Sequence, residues 1–363
     1  LSPAASDHSR AGPLLEEIRR LAATLHREVR IMEVCGTHTV SIRRAGLRSL
    51  LPENVRLISG PGCPVCVTPA GYIDLALSLL DRPGLILATF GDMLKVPGAC
   101  GQALASRLGS GRLRILYSPA ELPSLARGTD APVVFLGVGF EATAPTVAAA
   151  FLQAAREGIA NLFLYAAFKT VPPALRALLS DPQIRLDAFL LPGHVSAVLG
   201  LEPYRFLEEA GGLPGAVTGF EPLDLLEGIL ALLRQLSAGR RRVENAYARV
   251  VRPEGNPRAR QVLAELLEPE DALWRGLGII AGSGLGLRER YRGFDAAARF
   301  GLPAMWNSEP AGCGCARVLL GRLAPEDCPL FGRACTPESP IGPCMVSSEG
   351  SCAAAFRYGE ARA

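Results

Sequence analysis

Apolar residues Leu14, Ile18, Leu21, Leu25 and Val29 return at helical spacing behind Pro13, which predicts an amphipathic helix over 13–29 that needs a surface to pack on. Residues 1–10 are polar and read as a loose lead-in. From position 30 the pattern changes to short apolar, β-branched runs separated by helical stretches. Strands are predicted at 30–34, 55–59 and 85–89, with helices near 41–50 and 71–80. A second series places strands at 133–138, 162–166, 188–191 and 216–218, and helices near 144–156, 173–179, 203–209 and 222–235. This alternation is the rhythm of a parallel sheet, and ligands of open parallel sheets sit beyond the carboxyl ends of the strands. Leu57-Ile-Ser-Gly-Pro-Gly-Cys63 resembles Phe189-Leu-Leu-Pro-Gly-His194, as if two halves were related. The expected fold class is α/β: two similar parallel-sheet domains, 30–128 and 129–238, and a Cys-rich unit, 239–363, joined by the 13–29 helix. Helices are expected at 240–251 and 257–267 within that last unit.

With 363 residues, 49% hydrophobic and 20% charged, the chain can bury more than one core. A net charge of +3 makes no electrostatic case for nucleic acid or a membrane surface as partner. No apolar stretch is long enough to span a bilayer and the start lacks a signal core, so a cytoplasmic protein is expected. The chain starts with Leu rather than Met, as a trimmed product or fragment would. In a reducing cytosol its ten cysteines are better read as metal ligands and redox thiols than as structural disulfides.

Candidate chemistry concentrates where strands end. Glu33-Val-Cys-Gly-Thr-His38 puts the Cys35 thiol and the His38 imidazole three residues apart in a Gly-containing turn. They could hold a transition metal or work as nucleophile and base; a structural Cys with a satisfied His fits equally. Gly60-Pro-Gly-Cys-Pro-Val-Cys-Val-Thr-Pro69 carries Cys63 and Cys66 as Cys-xx-Cys at a helix start, where amide groups stabilise thiolate and permit a reversible disulfide. Half of a zinc knuckle is the alternative there. Asp92, Glu141 and His194 each follow an apolar strand and could line a site, although capping is the commoner use of such carboxylates. Gly137-x-Gly139 lacks the third Gly of the dinucleotide fingerprint, and no P-loop is present. Cys100 has no motif around it and reads as a packed thiol.

Six of the ten cysteines, Cys313, Cys315, Cys328, Cys335, Cys344 and Cys352, fall in the last fifth of the chain. Four thiolates can close a zinc site or hold one iron–sulfur cluster. Fourteen residues separate Cys313 from Cys328, six separate Cys328 from Cys335, and sixteen separate Cys335 from Cys352. Such wide spacing forms no paired zinc knuckles and suits a cluster wrapped by a folded domain. Buried thiols or disulfides are the plain alternative.

Taken together, Cys35-Gly-Thr-His38, Gly60-Pro-Gly-Cys-Pro-Val-Cys-Val-Thr-Pro69, Phe140-Glu-Ala-Thr-Ala-Pro-Thr146, Pro192-Gly-His-Val-Ser196, Cys335-Thr-Pro-Glu338 and Met345-Val-Ser-Ser-Glu-Gly350 resemble the [NiFe]-hydrogenase maturation factor HypD family. The resemblance covers nearly the whole chain. It implies two α/β domains plus a third carrying a [4Fe–4S] cluster, whose ligand pattern maps onto Cys313, Cys328, Cys335 and Cys352 and leaves Cys315 and Cys344 over. It also implies that Cys35, with His38 beside it, binds the iron of an Fe(CN)2CO unit together with a cysteine of a HypC-type small chaperone. Cyanide would come from a HypE-type donor, the hydrogenase large subunit would be served indirectly, and Cys63 and Cys66 would be the redox pair between cluster and iron. Such a protein is a metallocentre-assembly scaffold with redox activity rather than a conventional turnover enzyme. Two other functions fit the residues: a thiol–disulfide oxidoreductase with a structural zinc tail, and a transferase using Cys35 and His38.

Overall fold

The computed structural model describes residues 3–359, and its strands fall into two parallel sheets and one hairpin. In chain order they are β1 (Val29–Glu33), β2 (Val55–Ser59), β3 (Ile86–Phe90), β4 (Leu113–Leu116), β5 (Val133–Gly137), β6 (Leu162–Ala166), β7 (Ala188–Pro192), β8 (Gly215–Thr218) and β9 (Val243–Asn245). The antiparallel pair β10 (Leu267–Trp274) and β11 (Gly278–Leu287) follows. One sheet has the order β2-β1-β7-β8-β9 and the other β4-β3-β5-β6, with every neighbouring pair parallel. Central strands such as β5, apolar and buried at every position, read as continuous hydrophobic runs because helices cover both faces.

The sheets share one pattern: the second strand lies on one side of the first, and the third and fourth on the other. Two similar α/β domains are therefore present, but the sheets do not divide at 128/129. β3 to β6 are inserted between β2 and β7, which makes the first domain discontinuous. β2 and β7, whose flanking sequences look alike, lie in the same sheet on either side of β1 instead of being equivalents in two halves. A local strand–helix pattern carries no record of which sheet a strand joins.

The first helix runs Pro3–Thr24 and holds Pro13 in its interior rather than starting there. Ile18, Leu21 and Ala22 share a core with Ile229 and Leu233 of the Pro222–Ser237 helix, and Glu17 pairs with Arg234 at 2.9 Å. This helix thus belongs to the first sheet, not to the Cys-rich end. Residues 239–363 also divide. β9 extends the first sheet where a helix was expected, because Asn245 turns the chain, accepting from the Tyr247 N–H at 3.0 Å and donating to the Val251 carbonyl at 2.8 Å. The Pro257–Leu266 helix, β10 and β11 pack on the second sheet through Leu266, Leu267 and Leu285.

Beyond the hairpin, the clustered cysteines lie in a tail with short helices Cys315–Leu319, Pro343–Val346 and Ser351–Tyr358. The tail lies over the first sheet, Ser351–Tyr358 against the Gly36–Arg44 helix and Pro343–Val346 against the Pro64–Val67 helix. The nearly buried Arg43 pairs with tail residue Glu326 at 2.5 Å. Cys100 is exposed in a turn closed by the Gly101 N–H on the Gly98 carbonyl, not packed. No helix among the described residues is long and apolar enough to cross a membrane.

Candidate functional site

Strand order reverses between β1 and β7 in one sheet and between β3 and β5 in the other, and such switch points are where open parallel sheets hold ligands. Cys35 follows β1, and His194 opens the helix after β7. Asp92 follows β3, and Glu141 lies after β5. The charge of Glu349, from the tail, acts on Cys35, Asp92 and His194 alike, so residues from both strand-order reversals lie within its electrostatic reach.

Cys35 caps the Gly36–Arg44 helix in extended conformation, and its neighbour Gly36 donates its N–H to the Gly62 carbonyl at 2.9 Å. Two glycines permit this packing. A Cβ on Gly62 would fall 2.2 Å from the Cys35 nitrogen, and one on Gly36 would fall 2.5 Å from the Glu349 Cβ. The Cys-xx-Cys loop and the tail therefore close on Cys35 from two sides. On the next turn Thr37 donates its hydroxyl proton to Glu349 Oε1 at 2.7 Å. Burial pushes the Cys35 thiol up to about 11, against the backbone amide of His38, and the Glu349 charge adds to the push.

His38 is fully buried. Its Nε2 lies 3.3 Å from the Thr218 carbonyl, which fixes Nε2–H as the donor, and its Nδ1 has no hydrogen-bond partner. Burial lowers its pKa to about 4, opposed by the Thr218 carbonyl. Cys35 and His38 are both neutral at pH 7 and do not form a ready thiolate–imidazolium pair. Phe220, after β8, separates the two histidines: its ring lies 5.0 Å from that of His38 and stacks at 4.0 Å on that of His194, which is exposed at the rim.

Cys63 and Cys66 form a disulfide with a Cα–Cα distance of 5.2 Å, and both are buried. The Cys66 N–H donates to Cys63 Sγ at 3.2 Å, so the short helix presents its first amides to the sulfur. Asp92 is solvent-accessible, yet the protein around it raises its carboxyl above the ordinary value, with Glu349 contributing. Glu141 is buried: Oε1 accepts the Val171 N–H at 2.8 Å, capping the Val171–Ser180 helix, while Oε2 has no partner. Desolvation carries its pKa to about 7. Glu141 thus acts as a helix cap, and both it and Cys35 act electrostatically on buried Tyr204.

All six tail cysteines line one small cavity, together with apolar Leu330, Phe331 and Met345. Cys315 Sγ lies 2.7 Å from Cys344 Sγ. Contact with Cys313 and then Cys344 lowers the Cys315 thiol, and contact with Cys315 raises both neighbours. A cage of soft thiols from separate loops inside an apolar shell fits the donor set of an iron–sulfur cluster. Cys315 and Cys344 stand inside this cage with Cys313, Cys328, Cys335 and Cys352, not apart from it. Glu349 is the site residue that sequence reasoning missed. It stood in the quoted Met345-Val-Ser-Ser-Glu-Gly350 motif, but only docking of the tail takes it to Cys35.

A family model described as HypD, "Hydrogenase formation hypA family", matches residues 9–359. The hydrogenase maturation factor HypD of Rhodobacter capsulatus is 47% identical over 367 residues, covering 98% of this chain and 97% of that protein. The protein of the same name from Escherichia coli K12 is 44% identical over 347 residues, covering 95% and 93%. A putative hydrogenase expression/formation protein of Methanocaldococcus jannaschii is 41% identical over 345 residues, covering 95% and 96%.

Proposed function

The chain belongs to the HypD family of hydrogenase maturation factors, and we propose that within that maturation it is the scaffold on which the iron of an Fe(CN)2CO unit is assembled at Cys35. The observation that carries this is the convergence on Cys35: a single soft thiol at a sheet switch point, enclosed by the Cys63–Cys66 loop on one side and by the tail on the other. Cyanide and carbon monoxide favour low-spin Fe(II), which thiolate ligands suit. With its thiol raised to about 11, Cys35 loses its proton only as a cation arrives, so deprotonation and iron binding occur together. Glu349, held by Thr37, is the carboxylate whose charge acts on that thiol. His38 keeps its proton on Nε2, against Thr218, and leaves the Nδ1 lone pair bare within the site.

A HypC-type small chaperone would bring a second cysteine, a HypE-type protein the cyanide, and the hydrogenase large subunit would receive the product indirectly. The Cys63–Cys66 disulfide takes up two electrons and two protons on opening to a dithiol. Cys313, Cys328, Cys335 and Cys352 would hold a [4Fe–4S] cluster beside Cys315 and Cys344, and such a cluster supplies electrons one at a time. Burial of both disulfide sulfurs weighs against a free-standing thiol–disulfide oxidoreductase, whose attacking sulfur must reach a partner protein. A cytoplasmic assembly scaffold, rather than a conventional turnover enzyme, is the role proposed.

Infrared spectroscopy of the protein purified with its small chaperone tests this. Bands in the metal-cyanide and metal-carbonyl regions are expected, and Cys35→Ala should abolish them. Full bands in the variant would remove Cys35 as the iron ligand.

A further inference from the structure

Arg275 stands at the tip of the β10–β11 hairpin, and its side chain is 1% exposed. Its backbone N–H donates to the Val67 carbonyl at 2.8 Å and its Nε–H to the Thr68 carbonyl at 3.2 Å, both at the end of the helix that carries Cys66. Nη1 lies 3.6 Å from Glu309 Oε1, and Nη2 is buried with no hydrogen-bond partner. The next residue but one to Trp274, Gly276, has φ +82, and a Cβ there would meet the Cα of Ala316 at 3.0 Å. The hairpin tip is thus wedged between the disulfide helix and the Cys315–Leu319 helix. A buried guanidinium with a single carboxylate at 3.6 Å and one orphan donor is costly, because its charge is only loosely paired and its Nη2 N–H groups are unmatched. The negative charge that would match it is not supplied by Glu309 alone. The helix on which the hairpin tip is wedged begins at Cys315, one of the thiols that line the tail cage, so the cage is the neighbouring site whose charge could complete the match.

We propose that Arg275 is a positioning residue that fixes the end of the Cys63–Cys66 helix against the tail cage and supplies the buried positive charge that compensates a thiolate-held cluster there. This rests on the cluster proposed above. Reduction adds one negative charge to the cage, so a fixed cation beside it favours the reduced state and Glu309 opposes it.

The test is a potentiometric titration of the full chain, purified without oxygen, followed by electron paramagnetic resonance, with cluster content read from absorbance. Arg275→Gln should disfavour reduction at least tenfold, which for one electron is about 59 mV toward lower potential. Arg275→Lys should recover most of the loss. Glu309→Gln, which leaves the guanidinium in place and keeps the test open if Arg275→Gln does not fold, should shift the potential upward. An unchanged potential in an Arg275→Gln protein with full cluster content would overturn the role of Arg275, as would a downward shift in Glu309→Gln. A wild-type chain with no cluster would instead overturn the reading of the tail on which the inference stands.

Discussion

Glu141 couples this fold to pH. Its carboxyl is carried from 4.5 to about 7 by burial, so between those values the folded chain holds a proton that the unfolded chain has released. Stability therefore falls as pH rises through that window, by roughly 3 kcal/mol at its upper end. His38 acts in the opposite direction: with its pKa lowered from 6.5 to about 4, stability falls as pH drops through that range. Glu141→Gln removes the first effect and keeps an oxygen for the Val171 N–H. The variant should be more stable than wild type at about pH 8 and equal to it below about pH 4.5, as read from urea midpoints. Equal midpoints at the higher pH would mean that the carboxylate is solvated in the folded state.

The strand ends depend on close approach of backbone rather than on side-chain contacts alone. Gly62→Ala should lift the 60–63 loop from β1, because its Cβ would fall 2.2 Å from the Cys35 nitrogen, backbone that cannot turn aside. A loss of about 2–4 kcal/mol is expected, with faster alkylation of Cys35. Gly91→Ala is the control: it too follows a strand, but its Cβ would meet only Ile115, at 3.7 Å. Equal melting temperatures for the two variants would show that the loop has room to give. The central strands were legible in the sequence because both faces are buried and their residues are apolar throughout. β4 was not, because Arg114 and Ile115, its two middle residues, are exposed at a sheet edge. β10 and β11 were hidden by Glu268, Glu270 and Asp271 in one strand and by Gly282, Gly284 and Gly286 in the other. Cys35, Cys63 and Cys66 were legible as motifs, whereas Glu349 and Arg275 gain meaning only from tail and hairpin docking.

At the scale of the whole molecule, the tail is both cage and cover. Its Pro343–Val346 helix packs on the disulfide helix and its Ser351–Tyr358 helix on the helix that Cys35 caps, while Arg43 and Glu326 tie the two parts by a largely buried ion pair. A loop-rich segment with six cysteines lining one cavity would gain stability from a group bound there, so metal binding and tail folding should be coupled. Destroying the proposed cluster with oxygen and a chelator should then uncover the site at a distance. Alkylation of Cys35, followed by mass spectrometry of the peptide, should speed up more than tenfold, and protease should cut first within 301–359 while both sheets stay intact. The two readouts separate the causes. Fast alkylation with an uncut tail would mean that the Cys35 loop opens alone, and unchanged rates in both would mean that the tail stays docked without its metal. Only joint loosening fits the proposal that a cluster folds the tail and that the folded tail closes over Cys35, the thiol proposed to bind the iron.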